Sequence, residues 1–311
     1  MPIGAGEDDN VAQAELDILV PYWGPVALLR ETVESVLAQD DPRWRLTVVD
    51  DAYPEPAGGA WVRELAARDP RVRYVRNEVN LGITATFRRC AELAEAEVVA
   101  IPGCDDVLEP DYVRVVLAAH AAEPTAAVIQ PGVRVIDDAG QVVRPLADRV
   151  KTTLMRPRAE GSRLLGGEAL AASLLRGNWM YWPSLAFRRD VLVATPFRAD
   201  LDLIQDLGLV IDMVTAGHGL LLVPDVCFRY RRHLGSASMS GLLEGTRFRG
   251  ERAYFAQAAE QVGALGWRRA RRAARLHVTS RLNALTLVPR ALATRPRAVG
   301  MLLRHAFGTP A

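Results

Sequence analysis

Cysteine is scarce in this sequence of 311 residues, which contains three in total, Cys90, Cys104 and Cys227. An odd number of widely spaced cysteines makes neither a disulfide framework nor a Cys-x-x-Cys zinc motif. A small secreted domain held together by disulfides is therefore excluded. We expect a protein of the reducing cytoplasm.

Long uncharged apolar runs are also lacking, since none reaches the ~18–20 residues that a membrane span requires. The first ten residues, MPIGAGEDDN, hold acidic residues and glycine in place of the basic and apolar regions of a secretory signal. We therefore expect no membrane span and no secretory signal, and we expect disorder over residues 1–14.

Acidic residues are missing from 261–311, which contain ten arginines, whereas the whole chain carries a formal charge of +1. The preceding part of the chain is therefore acidic. In 266–311 arginine alternates with Leu, Val and Ala, so helices there would have a cationic and an apolar face. Such helices suit an anionic membrane surface, or they pack on the acidic body. Nucleic acid is not expected as a partner, because no aromatic interleaving or zinc motif accompanies the arginines.

Short apolar runs alternate with amphipathic segments from residue 16 to about 130. The pattern predicts strands at 16–21, 45–51, 71–77, 96–103 and 126–132, and helices at 25–39, 58–69, 84–94 and 110–123. Repeated β–α units of this length favour an α/β fold, with a mostly parallel, Rossmann-like sheet flanked by helices.

The pattern changes after Gly132. It predicts a hairpin over 132–145, a helix at 167–176, a strand at 183–187, a helix at 202–217 and two strands within 220–233. From about residue 242 the sequence is helical and increasingly basic. We therefore predict an α/β domain over 15–240 and a helical, Arg-rich extension over 241–311.

Polar motifs follow the first four predicted strands. Because ligands of parallel sheets bind beyond the carboxyl ends of the strands, we expect these motifs to line one cleft. The motifs are Pro21-Tyr22-Trp23-Gly24, Asp50-Asp51, Asn80-Leu81-Gly82 and Asp105-Asp106.

The adjacent acids Asp105 and Asp106 form the most informative of these motifs. A buried pair of like charges is costly unless a cation lies against it. Hard cations such as Mg²⁺ bind one or two carboxylates together with phosphates and water. The pair therefore predicts a divalent metal site, and the alternative is that an Asp merely caps a helical turn.

The order ILVPYWG, LTVVDDAYPE, RNEVNLG, PGCDDVLEPDYV, DLIQDLGLV and YRRHLGSAS resembles the family 2 inverting glycosyltransferases of the GT-A fold over residues 16–240. This resemblance implies a GT-A fold, a nucleotide-sugar donor and Mn²⁺ or Mg²⁺ as cofactor. It assigns Asp106 to the metal, shares Asp105 between metal and ribose, and suggests His233 as a third ligand. Gly103 stands where the commonest family pattern has another Asp, which leaves the division between the two acids open.

By the same resemblance Asp50 and Asp51 contact the nucleotide base. A carboxylate accepts the imide N–H of uracil or thymine and repels the acceptor N3 of cytosine, which favours a UDP- or dTDP-sugar. The alternative is an Asx turn. The rest of the expected nucleotide-sugar site is Pro21, Tyr22, Trp23, Asn80 and Gly82, although Trp23 would equally suit core packing.

On the acceptor side, Gln205-Asp206 resembles the family's Glu-Asp motif, whose Asp deprotonates the acceptor hydroxyl. Asp206 is the expected catalytic base, with Asp200 and Asp202 as further candidates. Arg231 and Arg232 could bind phosphate. A cluster of aromatic residues could form an acceptor platform or part of a core. The cluster consists of Trp179, Tyr181 and Trp182.

These features predict an inverting, metal-dependent glycosyltransferase of the hexosyltransferase type, acting in cell-envelope polysaccharide synthesis. Its acceptor would be a glycan, a lipid-linked molecule or a small molecule, and 266–311 would bring it to the inner face of the plasma membrane. The alternative is a catalytically silent nucleotide-sugar binding or assembly protein. A nucleotidyltransferase is disfavoured, because PYWGPVALL after the first strand lacks a Gly- and Arg/Lys-rich phosphate loop.

Overall fold

A computed structural model describes residues 14–158, 160–198, 201, 204–232 and 246–308. The strands are β1 (Leu16–Tyr22), β2 (Trp44–Asp50), β3 (Val72–Arg76), β4 (Val98–Ala100), β5 (Val107–Leu108), β6 (Ala126–Ile136), β7 (Arg163–Leu165), β8 (Ala186–Arg188) and β9 (Gly219–Arg231). The expected disorder of 1–14 falls, but for Ala14, outside the described residues.

The helices surround these strands and are also numbered in chain order. They are α1 (Val26–Leu37), α2 (Ala57–Ala66), α3 (Ile83–Leu93), α4 (Tyr112–Ala122), α5 (Leu146–Val150), α6 (Gly167–Arg176), α7 (Arg189–Ala194), α8 (Gln205–Thr215), α9 (Thr246–Ala264), α10 (Arg268–Leu276), α11 (Val278–Thr294) and α12 (Pro296–Phe307). A π-helical turn, Lys151–Met155, continues α5.

All described strands belong to one sheet with the order β3-β2-β1-β4-β8-β6-β9-β5, and β7 pairs with β9. The first four strands in this order are parallel, and β6 is parallel to β9. β8 runs antiparallel to both of its neighbours, as do β5 and β7 to β9. The predicted α/β class with a mostly parallel, helix-flanked sheet is confirmed.

Strand β1 shows why the sheet is covered on both faces. Its apolar side chains alternate between two hydrophobic clusters, with Ile18 and Val20 in one and Leu19 in the other. A strand that is apolar on both faces is typical of a parallel sheet with helices on each side. The register pairs Tyr22 with Asp50, so the ends of β1 and β2 meet at one edge.

Several strand predictions were wrong in extent. The strand predicted at 96–103 is limited to β4, and the one predicted at 183–187 begins at Ala186 as β8. The predicted strand at 126–132 continues to Ile136, because β6 has paired partners along its length in β8 and β9. The hairpin predicted over 132–145 has its turn, since Gly140 N–H donates to Asp137 O at 3.0 Å. Its second strand is reduced to a bridge between Ile136 and Val142. The two strands predicted within 220–233 form the single strand β9.

Pro224 explains why β9 was predicted as two strands. A proline inside an apolar run suggests a break, because it donates no hydrogen bond to its neighbour. In the structure Pro224 is exposed and lies where the pairing of β6 with β9 is irregular, between Gln130 and Gly132. The irregular register therefore accommodates the proline without ending the strand.

The C-terminal helices pack in two groups. Tyr254 and Val262 of α9 and Ala274 of α10 belong to the same hydrophobic cluster as the sheet residue Phe187. Helices α11 and α12 form a cluster of their own around Leu302, together with Phe248. Among the described helices none is both long and apolar enough to cross a membrane. The domain boundary at 240 stays a prediction.

The packing of α2 on β1 depends on a small residue. A Cβ at Gly58 would lie 2.8 Å from Cζ of the fully buried Tyr22. We expect Gly58→Ala to lower the free energy of unfolding by about 1–3 kcal/mol, because overpacking a buried contact forces side chains out of place. Urea denaturation followed by circular dichroism would measure this.

Gly300 provides the matched control. It lies inside α12, and a Cβ there would meet nothing within 4 Å. Gly300→Ala should therefore raise stability by roughly 0.5–1 kcal/mol through helix propensity alone. Equal effects of the two substitutions would contradict the proposed contact.

Candidate active site

The acid pair lies in the turn that follows β4. Asp106 is 1% exposed, and its Oδ1 accepts the backbone N–H of Arg231 at 2.9 Å while its Oδ2 accepts that of Gly103 at 3.2 Å. Burial, and then the charge of Asp105, raise the pKa of Asp106 well above its ordinary value. A nearby cation would favour the ionised form of both acids.

Gly103 determines how closely the two carboxylates converge. A Cβ at this position would lie 2.6 Å from Oδ1 of Asp105 and 2.7 Å from Oδ2 of Asp106. Both carboxylates therefore occupy the space above Gly103 where a side chain would stand. Because residue 103 is glycine, the turn lacks the additional Asp of the commonest family pattern. The absence of a side chain there also leaves room for the carboxylates of Asp105 and Asp106.

Arg231 supports the acid turn from β9. Its Nε donates to Asp105 O at 2.7 Å, its Nη1 donates to Asp137 O at 3.1 Å, and it forms an ion pair with Glu31. Its side chain is 1% exposed. The guanidinium of Arg231 thus binds backbone carbonyls and Glu31. These contacts favour a structural role over the phosphate contact that the sequence suggested.

Helix α1 holds the same turn from the other side. Thr32 Oγ1 donates to Asp106 O at 2.7 Å, and both groups are buried. Gly24, which follows β1, approaches the turn as well, since a Cβ there would lie 3.7 Å from Sγ of Cys104. The end of β1 and the acid turn are therefore neighbours, as the strand-end argument predicts.

Asp50 is fully buried at the end of β2. Its Oδ1 accepts Tyr53 N–H at 2.8 Å, and its Oδ2 accepts the Tyr74 hydroxyl and Arg76 Nη1, each at 2.5 Å. A carboxylate has about four acceptor sites, so three donors leave about one, and the full burial of Asp50 keeps that one away from solvent. The bond to Tyr53 is the local turn contact that the sequence left as an alternative.

Asp51 anchors the loop that leads into α3. Its Oδ1 accepts Asn77 Nδ2 and Leu81 N–H, both at 2.8 Å, and its Oδ2 accepts Gly82 N–H at 3.0 Å. Gly82 has a φ of 79°, a conformation that favours glycine. Asp51 therefore fixes the Asn80-Leu81-Gly82 motif at the edge of the sheet.

The aromatic residues after β1 differ in exposure. Tyr22 is fully buried, whereas Trp23 is 49% exposed. Both rings contact Tyr53, at centroid distances of 5.2 and 5.3 Å. Pro21 is half-buried and Asn80 is exposed. Among these residues Trp23 and Asn80 are accessible to a ligand, whereas Tyr22 is buried and packs against Tyr53.

Asp206 lies in the first turn of α8 and is half-buried. Its Oδ2 accepts Asn178 Nδ2 at 2.9 Å. Among the described residues, this is the side-chain hydrogen bond found at the carboxylate of Asp206. Asn178 was missed by the sequence analysis, because nothing in its local pattern links it to a residue 28 positions away.

The aromatic cluster lies mostly inside the protein. Trp179 is 1% exposed and its Nε1 donates to Ser173 Oγ at 3.0 Å, while Trp182 packs against Phe87 at a centroid distance of 5.4 Å. This burial favours the core-packing alternative for both tryptophans. An acceptor platform built from this cluster stays a prediction.

Tyr230 lies near the acid turn and packs against Tyr181 of the aromatic cluster. Their ring centroids are 5.4 Å apart, and the charges of Asp106 and Asp105 contribute, after burial, to raising the pKa of Tyr230 to about 12. The Tyr181 hydroxyl donates to Asp148 Oδ1 at 3.0 Å. Neither Asp148 nor Tyr230 was singled out from the sequence.

No group of three or more His, Cys, Asp or Glu side chains suited to a metal ion occurs in the described part of the chain. The pair Asp105 and Asp106 would provide two carboxylates, which fits a hard cation that also takes phosphate and water ligands. His233, the expected third ligand, lies outside the described residues, as do Asp200 and Asp202.

A family model described as Glycosyl transferase family 2 matches residues 17–190. The match covers more than half of the chain and includes the ends of β1 to β4. The chain therefore belongs to glycosyl transferase family 2.

Two curated relatives are similar to this chain over about a third of its length. The protein y4gI of Sinorhizobium fredii is 36% identical over 115 residues, which are 37% of this chain and 13% of that protein. WcaA of Escherichia coli K12, named for a glycosyl transferase of colanic acid biosynthesis, is 30% identical over 107 residues, 33% of this chain and 37% of WcaA. The chain thus spans well under half the length of these two relatives.

Solved structures resemble the whole chain more fully. TarS 1–349 of Staphylococcus aureus in complex with UDP-GlcNAc has a TM-score of 0.66 at 13% identity, covering 94% of this chain and 81% of that one. The mannosyltransferase PcManGT of Pyrobaculum calidifontis, with GDP-Man and Mn²⁺, has a TM-score of 0.60 at 16% identity, covering 95% and 87%. These likenesses confirm the GT-A fold.

Gly103 allows a direct test of the acid turn. We expect Gly103→Ala to weaken Mn²⁺ binding by at least about tenfold, because the new methyl group displaces one or both carboxylates and 1.4 kcal/mol suffices for that change. Isothermal titration calorimetry with Mn²⁺ and a nucleotide sugar would measure it.

Gly24→Ala is the matched control, because its Cβ would make only an ordinary contact of 3.7 Å with Cys104 Sγ. This variant should bind Mn²⁺ as the wild type does. Unchanged binding by Gly103→Ala would mean that the two acids do not form the metal site.

Proposed function

We propose that this protein is an inverting glycosyltransferase that moves a sugar from a nucleotide-sugar donor to a hydroxyl group of its acceptor. Membership of family 2 and the GT-A fold support a transferase. The observation that carries the proposal is the convergence of Asp105 and Asp106 above Gly103 at the carboxyl edge of the sheet. An acid pair at this edge suits a cation that binds a diphosphate.

Asp206 would take the proton of the acceptor hydroxyl. The acceptor oxygen then attacks the anomeric carbon on the face opposite the diphosphate, the bond to the diphosphate breaks, and the configuration inverts. Asn178 would keep the carboxylate of Asp206 oriented through its 2.9 Å hydrogen bond. General base catalysis of this kind typically contributes about 10²–10⁴-fold to the rate.

The acids Asp105 and Asp106 would hold Mn²⁺ or Mg²⁺. Such an ion, when bound, supplies Lewis-acid stabilisation of the negative charge on the departing diphosphate. The raised pKa of Asp106 accords with this role, because a cation beside it would remove the cost of keeping two neighbouring carboxylates ionised.

A UDP- or dTDP-sugar is the donor that we favour. Three donors surround the carboxylate of Asp51, so about one of its four acceptor sites remains for a pyrimidine imide N–H. The exposed ring of Trp23 would stack on the base. TarS in complex with UDP-GlcNAc is one fold neighbour, and PcManGT with GDP-Man makes a GDP-sugar the necessary competitor in any donor screen.

The substitutions Asp106→Ala and Asp206→Ala separate the two halves of the mechanism. Each should lower kcat/KM by about 10²-fold or more, because one removes a metal ligand and the other removes the base. Asp106→Ala should also weaken donor binding, whereas Asp206→Ala should leave it nearly unchanged. Calorimetry with Mn²⁺ and the donor, beside a transfer assay, would measure both effects.

The exposed Asp225 provides the control, and Asp225→Ala should keep full turnover. Near-wild-type transfer by the Asp206 variant would leave the reaction without its proposed base. Metal-dependent donor binding by a wild-type protein that transfers no sugar would support the alternative, a silent nucleotide-sugar binding or assembly protein.

An anionic membrane surface is the partner that we propose for the C-terminal helices, which would bring the enzyme to a lipid-linked acceptor at the inner face of the plasma membrane. Helix α10 buries Ala270, Ala273 and Ala274 against the body of the protein. Its opposite face is exposed and cationic, and it carries Arg268, Arg269, Arg272 and Arg275.

Exposed apolar residues adjoin this cationic face. Leu276 ends α10, and Val278 and Leu282 lie one turn apart on α11, with exposures of 38%, 41% and 54%. Arginines beside exposed apolar side chains are the composition of helices that lie in a lipid interface. Packing and membrane contact would therefore use opposite faces of α10.

Changing Arg268, Arg269 and Arg272 together to Gln should weaken binding to phosphatidylglycerol-containing vesicles by about 10²-fold, because each basic residue contributes about 1 kcal/mol. Vesicle co-sedimentation would measure this. The same charge change at the exposed Arg68, Arg89 and Arg144 should have little effect. Equal loss in both variants, or binding to DNA in place of vesicles, would contradict the membrane proposal.

A further inference from the structure

The chain contains 38 basic residues, of which 37 are arginine and one is lysine, Lys151. Lys151 begins the π-helical turn that continues α5. The π-helix is a rare conformation that occurs frequently at functional sites. All the remaining Lys and Arg positions of the sequence are arginine, so position 151 alone has a small, compact ammonium group.

The ammonium of Lys151 has two specific contacts. Its Nζ donates a hydrogen bond to Met180 O, and it lies 4.1 Å from the centroid of the Tyr181 ring. Both contacts fall on the segment 178–181. A planar guanidinium is larger and differently shaped, so arginine would not reproduce this pair of contacts.

The segment 178–181 leads directly to the proposed base. The backbone N–H of Met180 donates to Asn178 Oδ1 at 3.1 Å, and Asn178 Nδ2 donates to Asp206 Oδ2 at 2.9 Å. A continuous path therefore runs from Lys151 through Met180 and Asn178 to the carboxylate of Asp206.

Charged groups on several elements face Lys151. Asp148 on α5 and Asp206 on α8 favour its charged form, whereas Arg232 at the end of β9 disfavours it. Burial is the largest influence and lowers the pKa of Lys151 to about 8. Among the described residues, the Tyr181 ring lies against the ammonium group, and the Tyr254 hydroxyl lies in the electrostatic field of Asp212 and Asp206.

We propose that Lys151 is the positioning residue of the catalytic base: it fixes the segment 178–181 through Met180 and Tyr181, and its ammonium group is electrostatically coupled to the carboxylate of Asp206. The inference rests on the proposed function, because it takes Asp206 to be the base. Lys151 acts through Asn178 and through its field, without touching the reacting atoms.

The single lysine allows this coupling to be measured without any assay of activity. Protein labelled with ¹⁵N at lysine Nζ contains one such side-chain nitrogen, whose resonance can be followed as pH is varied. We expect a pKa near 8 in the wild type. In Asp206→Asn the pKa should fall, because the variant lacks a negative charge that stabilises the ammonium. An unchanged pKa in Asp206→Asn would overturn the coupling.

Kinetics test the consequence for the reaction. Lys151→Met should lower kcat by about 10²-fold, the scale of a small misplacement of a catalytic group, with little change in the KM for the donor. The acid limb of its pH–kcat profile should move to higher pH, because a carboxylate that loses a neighbouring positive charge is protonated more readily. In Lys151→Arg the limb should return towards its wild-type position, while kcat recovers only in part.

Arg149→Met on the same helix is the matched control, because its side chain is exposed, and it should keep wild-type kcat and pH profile. Thermal unfolding of each variant identifies any that fails to fold, and the ¹⁵N measurement needs no change at Lys151. Wild-type kcat in Lys151→Met, or a lower kcat with an unshifted acid limb, would overturn the proposal. Full transfer by Asp206→Asn would instead refute Asp206 as the base, with the ¹⁵N result still reporting the coupling.

Discussion

The site depends on the placement of two adjacent carboxylates, one buried and one half-buried, in the turn that follows β4. Asp106 is 1% exposed, and the donors to its carboxylate within the described residues are two backbone N–H groups, of Gly103 and Arg231. Both donors are neutral backbone groups, so neither forms an ion pair with the carboxylate. The guanidinium of Arg231 donates to the backbone carbonyls of Asp105 and Asp137 and forms an ion pair with Glu31.

This arrangement requires parts of the chain that are far apart in sequence. Thr32 lies 74 residues before the carbonyl of Asp106 to which it donates, and Arg231 follows the same residue by 125. Strand β9 brings Arg231 to the turn because it runs unbroken past Pro224 and pairs with β6. A break in β9 would have separated the acid pair from the residue that holds it.

The first half of the fold could be predicted from the sequence, because β1 to β4 are short apolar runs whose ends carry polar motifs. Their meeting at one edge follows from the parallel pairing, and the structure brings Gly24 next to Cys104 as expected. The second half was less predictable, since a proline suggested two strands where β9 is continuous. Contacts such as Asn178 with Asp206 left no signal in local spacing, because they depend on how α8 packs against the segment before β8.

The C-terminal helices show how composition can leave two alternatives that the fold makes compatible. Arginine alternating with small apolar residues predicted two faces on α10, and the sequence could not decide between packing and an external partner. The structure buries the alanine face, with Ala274 fully enclosed, and leaves Arg268 and Arg272 exposed one turn apart. Small alanine side chains let α10 lie close to the body, so the long arginines project outward. Packing on the body therefore orients the cationic face of α10 and leaves its arginines exposed.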